Sequence, residues 1–133
     1  MQRDVIAPTL IGVLAVAAIA AGLMFTGGPN TARAEKRDDA RHRDIRDLSR
    51  LVSCIKSHDD ALPDTLKSDE RCKAAPLVDQ TNRQPYRYNV ISENSFDLCA
   101  DFELPERFQS YSRYTRPSGQ WQKESECFRF TLK

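Results

Sequence analysis

The sequence predicts an α+β protein: an N-terminal transmembrane helix, then an amphipathic helix packed on a small antiparallel sheet. Three observations carry this. Residues 5 to 26 hold no charge. Residues 35 to 58 space their apolar side chains at helical intervals. The last third alternates polar with aromatic or apolar residues at the period of a strand.

The first element is VIAPTLIGVLAVAAIAAGLMFT, Val5 to Thr26. At about 1.5 Å per residue it can cross a hydrocarbon core of roughly 30 Å. Pro8 lies near its start, where a missing N–H costs little. Gly27, Gly28 and Pro29 then form a stop signal. Ala17 stands four residues before Ala21, and Ala18 four before Gly22, a spacing that lets helices approach closely in lipid. Ala32-Arg33-Ala34 would suit signal cleavage, but the apolar run is longer than the usual ~7–15-residue segment of a signal peptide. An uncleaved anchor is therefore expected. The division is a cytoplasmic tail at 1–4, a transmembrane helix at 5–26, a linker and charged helical stalk at 27–43, and a disulfide-stapled domain at 44–133.

Two arguments about sidedness conflict. Arg33, Lys36, Arg37, Arg41 and Arg43 follow the span and only Arg3 precedes it, which favours a domain inside. Cys54, Cys72, Cys99 and Cys127 form an even set in a short domain, which favours an oxidising compartment. The cysteines weigh more, because charge bias is weak when a whole folded domain is translocated. The expected location is the bacterial inner membrane, single-pass, with the bulk of the chain periplasmic.

From Glu35 onward only Arg3 and Arg33 drop out of 20 basic residues, and only Asp4 out of 19 acidic ones. That leaves 18 of each sign, without the basic excess of a nucleic-acid surface.

The second helix is read over 35–58, with Ile45, Leu48, Leu51, Val52 and Ile55 on one face. Its charged first turns are expected to stand clear of the core. Residues 60 to 85 look irregular, with one helical turn expected after an Asp64 cap. Tyr86 to Val90 and Phe96 to Phe102 then alternate, joined by a four-residue turn, Ser92 to Ser95. Residues 106 to 123 read as a loop, and Cys127 to Leu132 as a last strand.

Asp44 to Ile55 followed by Leu62-Pro63, then Val78 to Tyr88, then Phe96 to Phe102 and Cys127-Phe128, form an ordered set. In that order the chain resembles the periplasmic domain of type IV pilin-like and pseudopilin-like proteins. It also resembles single-span bacterial membrane proteins with such a domain. Asn82-Arg83 stands where the relatives have Thr-Gly. The chain lacks the Gly-Phe-type prepilin cleavage site and an acid within the apolar run. The resemblance implies the fold rather than a filament subunit.

Four cysteines allow three pairings. If the strands holding Cys99 and Cys127 are neighbours, those two can pair, leaving Cys54 of the helix to pair with Cys72 of the loop returning from it. A Cys54–Cys99 bridge would refute this.

Chemical motifs are sparse. Cys54 and His58 are four apart on one helix with Cys72 following, a chelating pattern, but no C-x-x-C occurs and disulfides are the expected use. Asp59, Asp60, Asp64, Asp69, Glu70 and Asp79 are rich in oxygen but match no EF-hand. No nucleophile elbow or H-E-x-x-H occurs. His42 is expected to be solvated. No cofactor, metal or catalytic residue is therefore expected. Phe108, Tyr111, Tyr114 and Trp121, interleaved with Arg107, Arg113 and Arg116, have the composition of a partner-binding surface, or of rings that cap a small core.

The expected partners are the bilayer and another membrane protein, with no nucleic acid or small-molecule substrate. The expected role is a non-catalytic accessory or scaffold within an envelope membrane complex. Two alternatives are a free-standing module binding a glycan or lipid through residues 107–121, and a pseudopilin-type secretion component.

Overall fold

In the computed structural model the uncharged run forms α1, Arg3–Thr26. The structure describes residues 3–112 and 119–133, with side chains for 7–25, 27–109 and 119–133. The chain divides into two compact units, Met1–Ala34 and Glu35–Lys133. In the first, α1 buries none of its described large apolar side chains. Leu14 is 68% exposed and Phe25 93%. It is long and apolar enough to span a membrane. Helix α1 ends at Gly27, whose φ of 79° lies in the left-handed region. Helix α2 begins at once and runs Gly28–Asp59, several residues earlier than expected, with Pro29 in its first turn, where proline is tolerated.

In the second unit the apolar face of α2 is completely covered. Ile45, Leu48 and Val52 are wholly buried, and Leu51 and Ile55 nearly so. They pack on a four-stranded antiparallel sheet made of β1 Arg87–Ser92, β2 Ser95–Cys99, β3 Gln120–Gln122 and β4 Cys127–Thr131. The strand order is β1-β2-β4-β3. The α+β reading thus holds, with one strand more than expected.

Register explains the core. Phe96 opposes Phe130 and Leu98 opposes Phe128. All four are buried. Side chains alternate across a sheet, so these rings share the face that meets α2. Asp97 opposes Arg129 on the other face, where the two form a bidentate ion pair at 2.8 Å. The β1–β2 connection is tighter than expected. Ser92 pairs with Ser95, leaving only Glu93 and Asn94 in the turn.

Three elements depart from the sequence reading. The Asp64 segment is not helical; the chain turns instead at Asp69, whose carbonyl accepts the Cys72 N–H at 3.0 Å. Pro105–Ser112 forms a 3₁₀ helix within the expected loop, and β3 follows it. The charged start of α2 does not stand clear: Asp38 is fully buried, Arg41 3% exposed and His42 9%.

Gly119 precedes β3 with φ 77°, and an added Cβ would meet Phe130 Cζ at 2.7 Å. Gly119→Ala combines left-handed strain with a clash against a core ring. We expect it to cost about 2–3 kcal/mol, read as a lower urea midpoint. An unchanged midpoint would show that Phe130 yields freely.

Candidate functional site

Asp38, Arg41 and His42 continue the buried face of α2 one and two turns before Ile45, at spacings of three and four residues. Buried charge is tolerated only when paired. Arg41 Nε donates to Asp79 Oδ2 at 2.6 Å. Its Nη1 donates to Asp38 Oδ1 at 2.9 Å and to Glu103 Oε1 at 3.0 Å. Asp38 in turn accepts the backbone N–H of Glu103 at 3.0 Å and of Leu104 at 2.7 Å. Arg37 holds the Glu103 carboxylate through two contacts of 2.7 and 2.6 Å. One guanidinium thus ties α2 to the 79–84 turn and to the loop after β2.

The electrostatics follow. Hydrogen bonds from Arg37 hold the Glu103 carboxyl down at about 2. Burial alone would raise Asp79, but hydrogen bonds from Arg41 and the Thr81 N–H outweigh it and hold it below the usual range. Three carboxylates face Arg41, and each is also held by Arg37 or by backbone N–H groups, so every carboxylate is partnered and the cluster reads as a lock. Nearby, Tyr86 donates its hydroxyl to Asp44 at 2.6 Å. Burial raises Asp44 despite that bond.

His42 lies among rings, stacked on Phe128 at 4.9 Å and tilted against Phe108 at 5.5 Å. Burial, with help from Arg46 and against Asp39, pushes its imidazole down to about 4 from 6.5. A group with a depressed folded pKa stays neutral in the fold while the unfolded chain takes up a proton. Its contribution is complete above pH 6.5 and is lost as pH falls toward 4. We expect about 3 kcal/mol to disappear over that window, at roughly 1.4 kcal/mol per pKa unit. Chemical denaturation at stepped pH would show it, and His42→Leu should flatten the slope. A wild-type slope that survives in His42→Leu would assign the effect elsewhere, for the raised Asp44 acts with the opposite sign.

The cysteines pair as Cys54–Cys72 and Cys99–Cys127. The second bridge crosses neighbouring strands in register, with Cα atoms 4.2 Å apart. Both of its cysteines are buried. Cys54 and Cys72 are half-buried, and His58 is exposed beside them.

Two rings of the expected partner surface, Phe108 and Trp121, are absorbed by the core. Phe108 is 2% exposed and Trp121 5%. They join Phe102 and Phe128 in a cluster whose ring centroids lie 4.6–5.8 Å apart. The physical reason is the 3₁₀ helix, which lays Phe108 against β3 and β4. Arg107 bonds the Glu35 carbonyl and lies 3.4 Å from Asp39. Arg113, Tyr114 and Arg116, and the Tyr111 side chain, lie outside the described residues. Ala17, Ala18, Ala21 and Gly22 are exposed on α1. Of the expected acid-rich loop, Asp59 and Asp69 are committed to Arg71 and Asp79 to Arg41. A recess lined by Asp79, Asn82, Tyr86, Arg87 and Asp101 offers about 190 Å³ including open solvent, less than the roughly 300 Å³ where ligand pockets begin.

No family model, curated protein or solved structure matches this chain. The geometry therefore carries the functional argument alone. The residue the sequence reading missed is Arg41 with its carboxylates. The available signal was the 3/4 spacing of Asp38, Arg41, His42, Ile45 and Leu48, which carries the buried stripe through charged positions.

Proposed function

We propose that the chain is a non-catalytic, membrane-anchored accessory or scaffold protein of a bacterial envelope membrane complex, with its disulfide-stapled domain on the periplasmic side. The observation that carries this is the closure of all four cysteines into two bridges, in a unit that follows an apolar helix with no buried side chain among its described residues. Such bridges persist in oxidising compartments. The Arg41 cluster supports a structural role, since each of its carboxylates is committed to an arginine or to backbone N–H groups. Strand β1 is an outer strand of the sheet, and its Val90 and Ile91 are 47% and 50% exposed, a surface suited to protein contact. An α2 helix laid on a small antiparallel sheet is compatible with a pilin-like domain. The glycan or lipid alternative is weakened by the burial of Phe108 and Trp121.

Two measurements on the full chain test this. A membrane-impermeant thiol reagent on intact spheroplasts, after reduction, should label the domain; labelling only after lysis would reverse the topology. Purification in mild detergent should retain a fixed set of membrane proteins. A lone protein carrying glycan or lipid would favour the alternative.

A further inference from the structure

One sulfur pair differs from the other in its surroundings. Cys99 and Cys127 are 2% and 4% exposed, closed in by the sheet. Cys54 and Cys72 are half-buried near the end of α2, and His58 stands one turn beyond Cys54. The two sulfurs and a His58 ring nitrogen all lie within 4.8 Å of one another.

We propose that Cys54, His58 and Cys72 form a redox-gated site for a thiophilic divalent cation of the zinc class. It opens when a dithiol reductant reduces the Cys54–Cys72 bridge while Cys99–Cys127 stays closed. The electron count balances. The dithiol gives two electrons and two protons to the Cys54–Cys72 bond and leaves as its own disulfide. The cation then displaces both thiol protons. It is held by two thiolates and one neutral imidazole, with water in the fourth position, the open arrangement common for zinc.

Distances decide whether this is feasible. Zinc bonds of about 2.3 Å to sulfur and about 2.0 Å to nitrogen place tetrahedral ligands roughly 3.5–3.8 Å apart. The His58 ring nitrogen lies within 4.8 Å of both sulfurs, and rotation of its side chain must supply the rest. The sulfurs, bonded to each other in the bridge, must separate to that tetrahedral range once reduced. Their Cα atoms are 5.9 Å apart, and Cys72 sits in an irregular segment pinned locally by the Asp69 turn. Side-chain rotation supplies the opening without moving α2. Helical spacing fixes Cys54 and His58 on one face, and His58 is free to turn at the exposed end. Asp59 and Asp69 are held by Arg71 and so do not compete as ligands. The cation would re-close the loop the disulfide closed, so the domain would keep its clamp in either redox state.

This is independent of the scaffold reading: metal uptake decides it, whereas labelling and co-purification decide the other. The full chain in detergent is treated with limiting phosphine reductant, alkylated and mapped by mass spectrometry. Cys54 and Cys72 should be modified at least about tenfold faster than Cys99 and Cys127, as expected from thiol access. Co²⁺ added to the partly reduced, unalkylated protein should bind one to one with a sulfur-to-cobalt charge-transfer band, and Zn²⁺ should displace it. His58→Ala, an exposed change monitored by circular dichroism, should weaken binding about tenfold or more. Equal reduction of the two bridges, absence of the band, unchanged affinity in His58→Ala, or a reduced protein that unfolds and does not refold with Zn²⁺ would each overturn the proposal.

Discussion

Full reduction of both bridges, with a chelator present, is expected to unfold the Glu35–Lys133 unit at physiological temperature. The bridges close loops of 18 and 28 residues. In the chain-entropy picture each contributes about 3–4 kcal/mol, so together about 7. A domain of this size has roughly 5–15 kcal/mol in all. The melting temperature, followed by circular dichroism with and without reductant, should fall by more than about 20 °C. A fall below about 10 °C would show that the ring cluster and the α2 face hold the fold without covalent help. The effect belongs to packing as well as to entropy, because Cys99–Cys127 joins the two central strands.

The second large effect is expected at Arg41. Arg41→Met leaves Asp38 and Asp79 buried without their cation, a situation that costs about 3–5 kcal/mol. Arg37→Met is the control. Its side chain is 37% exposed, and exposed ion pairs contribute under about 1 kcal/mol. Urea unfolding at pH 7 should separate the two variants clearly. Adding Asp79→Asn to Arg41→Met should recover part of the loss, since it removes the stranded charge. Equal losses for Arg37→Met and Arg41→Met would mean that water reaches the cluster.

Only the second of these effects arises where sequence patterning and tertiary structure part company. The face of α2 from Ile45 to Ile55 was legible because apolar residues at helical spacing must be covered. The β1–β2 and β4 strands were legible from their alternation, and the bridge pairing from strand order. The Arg41 lock was hidden for a physical reason: charged residues look solvated until their partners are known, and Asp79 and Glu103 lie 38 and 62 residues away. Strand β3 was hidden by its length of three residues, too short to show a period. The rings Phe108 and Trp121 carry the composition of an interface, and only the 3₁₀ helix shows them turned inward. Arg83 is a further case. It holds φ 61°, a left-handed conformation that favours glycine, so nothing in the residue type announces the turn it makes.

The strand order has a consequence for how the chain matures. Strand β4 follows β3 in sequence yet lies between β2 and β3, so the sheet cannot close until Cys127–Thr131 is available. The Cys54–Cys72 loop can close before that strand is made, but Cys99 must wait for Cys127. Until then Phe96 and Leu98 lack the rings of Phe128 and Phe130 that cover them. Assembly of this domain is therefore gated by β4. A chain stopped before Cys127 would be left with an open sheet, one unpaired thiol and an uncovered apolar face, the state that quality-control proteases and chaperones act upon.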